Sequence, residues 1–128
     1  MNEKLATSLK RWLENIMPSV AATLVDTLNL ERLQELSQEG AVVGPFQLNL
    51  EQFRAPITAL HFYTLVTEET LLLAVKVCIK GQDGEIMESS DVNFDMFFTH
   101  SEFPTAIGDE EHLRQLVDTV MKYCEEMM

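Results

Sequence analysis

Asp91, Asn93, Asp95 and Glu102 are spaced like positions 1, 3, 5 and 12 of a calcium-binding loop, the most ligand-like arrangement in the chain. Hard oxygen donors wrap a calcium ion only if the loop turns sharply at position 6, where glycine is required, and Met96 stands there instead. The same segment alternates apolar and polar residues as a strand does, without the preceding helix that a calcium hand needs. Calcium is therefore not expected. His100-Ser101-Glu102 has the HxE spacing of zinc deaminases, but those enzymes complete the site with a PCxxC element, and neither Cys78 nor Cys124 belongs to one. His61 falls in a strand pattern and His112 at a helix start, so no structural metal is expected either.

Nucleophilic chemistry needs an activated Ser or Cys. The serines at 8, 19, 37, 89, 90 and 101 lack a GxSxG frame, and Cys78 sits in the middle of a strand pattern. The five glycines form neither GxGxxG nor GxxxxGK[ST], so no phosphate cradle is encoded. Paired carboxylates are abundant, but acid-base catalysis needs two in one cleft with separated pKa values, which spacing alone does not show. The reading is of a non-enzyme with no cofactor.

What the acids do is concentrate charge. Between residues 83 and 111 there are nine Asp or Glu and no Lys or Arg, and residues 82–128 supply −10 of the net −12. A localised field of this kind steers basic partners and repels nucleic acid and anionic lipid. Lys4, Lys10, Arg11 and Arg32 alternate with acids as on a solvated helix face, and direct nucleic-acid binding is not expected. Phe97 stands between Asp95 and Thr99 on the strand face opposite Phe94 and Phe98. Interfaces draw most of their energy from a few aromatics ringed by polar groups, so Phe97 reads as an anchor unless a second layer of helix covers that face. The predicted partner-binding set is Glu85, Glu88, Asp91, Asp95, Phe97, Glu102, Phe103, Asp109, Glu110 and Glu111.

The elements that position these residues are legible from periodicity. Leu5, Leu9, Trp12, Leu13, Ile16 and Met17 recur at helical spacing and predict a helix ending at Pro18. A second helical stretch carries Val20, Leu24, Val25 and Leu28, and a third follows Asn29, a plausible N-cap, until Gly40. The period then changes to two. Phe46, Leu48 and Leu50 predict a half-buried strand entered through Gly44-Pro45, and residues 59–66 and 71–79 predict two more, the second apolar on nearly both faces and therefore central. Gly81-Gln82-Asp83-Gly84 predicts a hairpin turn into one long strand running to Thr99, bulged near Ser89-Ser90. Asp109 caps a final helix with Leu113, Leu116, Val117, Val120, Cys124 and Met127 on one side, where the acidic first turn also suits the helix dipole.

Residues 1–128 thus read as one globular α+β domain: a helical N-terminal third, a four-stranded antiparallel meander, and a C-terminal helix packed on the sheet. Cys78 and Cys124 are expected as buried free thiols. The first residues lack an apolar run of the signal-peptide kind, and no stretch approaches the roughly 20 apolar residues of a membrane span, so a cytoplasmic address without membrane contact is expected. The expected function is binding of a basic protein partner through the acidic 85–111 region, in the manner of an inhibitor, immunity protein or chaperone. Two alternatives are a small-ligand site between sheet and helices lined by His61, Phe62 and Tyr63, and a homodimer paired through a strand edge or the helix 113–127.

Overall fold

The computed structural model describes residues 3–37, 40–53, 57–88 and 96–127. A single helix, α1 (Glu3–Thr27), replaces the two expected on either side of Pro18. A proline inside a helix costs about 3 kcal/mol through the lost N–H and the crowding of the preceding turn. Beyond it, however, Val20, Ala21, Leu24 and Leu28 continue the stripe of Leu9, Leu13 and Met17, and all are at most 5% exposed. Burying each larger member of that set contributes about 1.5–3 kcal/mol, so docking outweighs the proline penalty. Helix α2 (Leu30–Ser37) starts as expected, with the Arg32 N–H donating to Asn29 Oδ1 at 2.9 Å.

Strand β1 (Ala41–Asn49) begins five residues before the expected Phe46, and Gly44-Pro45 lies inside it as a break in register rather than at its entrance. Gly44 has φ +134°, and a Cβ there would sit 2.8 Å from the Phe62 carbonyl oxygen, so this close approach of backbones admits only glycine. A 3-10 turn (Glu51–Phe53) leads towards β2 (Ile57–Val66), which pairs antiparallel with both β1 and β3 (Thr70–Lys80). The Gly81–Gly84 turn closes as predicted, with the Gly81 N–H donating to the Glu85 carbonyl at 2.7 Å. It delivers β4 (Ile86–Glu88) back onto the end of β3.

Further along, β5 (Met96–Thr99) pairs with the start of β3 on the same side as β4. Five strand segments therefore occupy four lanes. Between the last β4 pair, Cys78 with Glu88, and the first β5 pair, Leu73 with Met96, β3 advances by four intervening residues and the other chain segment by seven. The expected single strand is thus out of step by three residues, and its central part lies outside the described residues.

Helix α3 (Phe103–Ala106) follows β5, and α4 (Glu110–Met127) is capped by Asp109, whose Oδ1 accepts the Glu111 N–H at 3.3 Å. All the packed helices lie on one face of the sheet. There α1 runs along α4, and Leu116, Val117, Val120 and Cys124 meet Leu60, Phe62, Leu73, Val75, Val77 and Phe98 in one core. The α+β architecture and the antiparallel order are those expected. Cys78 and Cys124 are both free and buried. No helix among the described residues is long and apolar enough to cross a membrane.

Candidate functional site

Strand alternation sends Leu60, Phe62, Thr64 and Val66 into the helix-covered core and His61, Tyr63 and Leu65 to the opposite face. Register then aligns that opposite face in rows. Val42 pairs with Leu65, Leu65 with Leu72, and Leu72 with Phe97, so one apolar side chain from each lane stands in a line across the whole sheet. Val42 is 59% and Phe97 69% exposed, with Leu65 and Leu72 half-buried between them. Phe97 is therefore a surface aromatic, and no described helix covers it.

The next rows turn polar. Tyr63 pairs with Ala74; Gln47 pairs with His61 and His61 with Lys76; Asn49 pairs with Ala59, Ala59 with Cys78 and Cys78 with Glu88. Glu88 extends from β4 across β3 to reach β2, where its Oε2 accepts hydrogen bonds from His61 Nδ1 at 2.6 Å and from the Tyr63 hydroxyl. The other His61 nitrogen, Nε2, lies 3.1 Å from the Gln47 side-chain oxygen, and the Lys76 ammonium sits 5.6 Å from the centre of the Tyr63 ring. Donation by Tyr63 and then His61 stabilises the ionised Glu88 and holds its carboxyl below the ordinary range. By the same bond, the Tyr63 hydroxyl is pushed up to about 12. Cys78 lies beneath this bridge, and burial, reinforced by the Glu88 charge, raises its thiol to about 11. The thiol of Cys124, in the helical core, is raised by burial to about 12, so neither cysteine is a thiolate nucleophile at neutral pH.

The predicted partner-binding residues that are described lie in several parts of the structure. Glu88 and Phe97 share the open face, at its polar and apolar ends. Glu85 is exposed at the β3–β4 hairpin, and Glu102 braces the turn after β5 by accepting the Thr99 N–H at 2.7 Å. Phe103, by contrast, is 1% exposed and packs edge-on against Phe98 with ring centres 5.6 Å apart, which leaves it no surface to offer a partner. Asp109, Glu110 and Glu111 sit at the start of α4 in the helical layer, where Asp109 caps and Glu110 approaches Arg114 at 3.5 Å. Asp91 and Asp95 lie outside the described residues.

Sequence reading passed over Glu68 and Glu69, exposed in the β2–β3 turn beside the Leu65–Leu72 pair, because they lie outside the acidic segment. It also missed the His61–Glu88–Tyr63 bridge, whose members are distant in the chain. Counting back from the Gly81–Gly84 turn would have set Glu88 opposite Cys78.

The pocket expected from His61, Phe62 and Tyr63 does not assemble, because Phe62 faces the core and the other two face out. A groove of about 580 Å³ lies instead between α1 and α4, lined by Lys10, Glu14, Met17, Leu113, Arg114 and Val117. Compared with protein-family models, curated proteins and solved structures, the chain has no significant match.

Proposed function

We propose that the protein is a protein-binding module that docks a basic partner on the open face of its sheet, with Phe97 as the anchor. The observation that carries this reading is the cross-strand row Val42–Leu65–Leu72–Phe97 on a face that no described helix covers. Contiguous apolar side chains left in water on a small domain mark a site of association. The acids support the choice of partner. Glu68, Glu69 and Glu102 stand in the turns flanking the apolar end, and the net charge of −12 favours encounter with a basic protein. The same charge opposes face-to-face pairing of two copies, which makes self-association the weaker reading. Apolar contact would supply residence time and the field would supply the on-rate.

The test is a capture experiment from native lysate with three baits: the parent, Phe97→Asp, and Glu126→Lys as a charge control in the helical layer. A basic protein retained by the parent and the control but lost with Phe97→Asp, and eluted by salt, is the expected result. Identical recovery by Phe97→Asp and the parent would remove the open face from consideration. Sedimentation separates the alternative. A species of twice the 14.6 kDa chain mass that dissociates on Phe97→Asp would make the occupant a second copy.

A further inference from the structure

At the polar end of the open face, three side chains of different chemistry converge from three lanes: His61 from β2, Cys78 from β3 and Glu88 from β4. A ring nitrogen, the sulfur and a carboxylate oxygen lie within 4.8 Å of one another. We propose that these three residues bind a first-row transition ion, with Zn²⁺ the best fit, as a three-ligand site with one position left for water.

The donor set is the first argument. Imidazole, thiolate and carboxylate are the ligands from which tetrahedral zinc sites are built, and the sulfur selects against hard ions such as Ca²⁺ and Mg²⁺. Distance is the second. Around a tetrahedral ion with bonds of about 2.0–2.3 Å, neighbouring donors stand about 3.3–3.6 Å apart. The His61 Nδ1 and Glu88 Oε2 pair, now at 2.6 Å, need only open slightly while the sulfur draws in. The pairing of Ala59 with Cys78 and of Cys78 with Glu88 already places the backbones side by side, so the adjustment asked for is one of side-chain torsions.

The surroundings supply the outer shell that orients metal ligands. Gln47 holds His61 Nε2 at 3.1 Å, which fixes the ring with Nδ1 turned inward, and the Tyr63 hydroxyl donates to the Glu88 carboxylate. Charge balances as well. Thiolate, carboxylate and neutral imidazole would place two negative charges around M²⁺, matching the charge of the ion. Lys76 opposes binding, since it is the cross-strand neighbour of His61, but its ammonium is drawn over the Tyr63 ring. A thiol must lose its proton to ligate, so affinity should climb with pH.

Cobalt reports thiolate ligation directly. The full chain, stripped with chelator, is titrated with Co²⁺ and followed by absorbance. One equivalent should produce a near-ultraviolet sulfur-to-cobalt charge-transfer band and visible bands of tetrahedral intensity, both bleached by Zn²⁺. Cys78→Ser should abolish the charge-transfer band and Cys124→Ser should keep it. His61→Gln and Glu88→Gln should each weaken Co²⁺ at least about tenfold, and Lys76→Met should strengthen it. Absence of the band in the parent, or its survival in Cys78→Ser, would overturn the proposal. Should Cys78→Ser fail to fold, the His61 and Glu88 variants decide the matter, and unchanged affinity in both would equally overturn it.

Discussion

The two faces of one sheet invite comparison because the same strands build both. Phe97 and Phe98 are adjacent in β5, yet one is 69% exposed and the other 1%. On the covered face, β1, β2, β3 and β5 contribute large aliphatic or aromatic side chains to the same core as α1 and α4. On the open face, an apolar row gives way within two further rows to a bridge of His61, Tyr63 and Glu88. Burial alone therefore does not sort this sheet into a hydrophobic inside and a polar outside. The apolar row survives on the outside without cover from any described helix, which is why a contact surface is proposed there.

The sharpest way to break the comparison is to put charge into the covered face. Leu116→Asp and Val120→Asp each bury an unpaired carboxylate at a position 1% exposed or less, and a loss of several kcal/mol is expected in denaturant unfolding, enough to abolish folding of a marginal domain. Melting within a degree or two of the parent would mean that α4 is not docked there. Next in size, Phe98→Ala should cost about 3–5 kcal/mol through lost burial and the cavity beside Phe103. Gly44→Ala should cost on the order of 1–3 kcal/mol, since its methyl would meet the Phe62 carbonyl at 2.8 Å in a backbone conformation that disfavours a side chain.

The open face should respond to pH more than to truncation. Glu88 has its carboxyl lowered in the folded state, so the bridge contributes stability above the ordinary carboxylate range that disappears as pH falls through the lowered value. Acid titration of stability should therefore be shallower in Glu88→Gln than in the parent, and superimposable curves would show that the bridge has no weight in solution. The smallest effect belongs to Phe97→Ala, which should shift unfolding by no more than about 0.5 kcal/mol while speeding dissociation of a bound partner. Raising salt should slow association of that partner, because screening limits the acidic field to about 8 Å at physiological ionic strength. If Phe97→Ala unfolds the protein, the two faces are not distinct in the way described.

Much of the covered face was legible before any coordinates, since period two in residues 59–66 and period 3.6 from Leu113 report directly on burial against another layer. Pro18 misled because a local rule about lost hydrogen bonds was applied where a tertiary stripe continued across it. Gly44-Pro45 misled for a related reason: a break signal reads equally as an entrance to a strand or as a bulge within one, and only the partner strand decides. The open-face row was hidden because its four members come from four segments, and a one-residue error in register sends each to the other side. Acid density likewise marked a stretch of chain, 85–111, which the fold then divided between a hairpin, a turn and a helix start.

The break in β1 has a further consequence for how this molecule meets its neighbours. β1 is a border lane of the sheet, and an uninterrupted border offers a ladder of backbone donors and acceptors along which another chain could extend the sheet. Pro45 has no N–H to contribute, and the step in register between Val43 and Phe46 puts the two halves of the border out of line. A strand that began to zip along β1 would lose its alignment after a few residues. Such a border discourages sheet extension and fibre growth, and the docking proposed for the broad face would rest on side chains, where sequence can choose the partner.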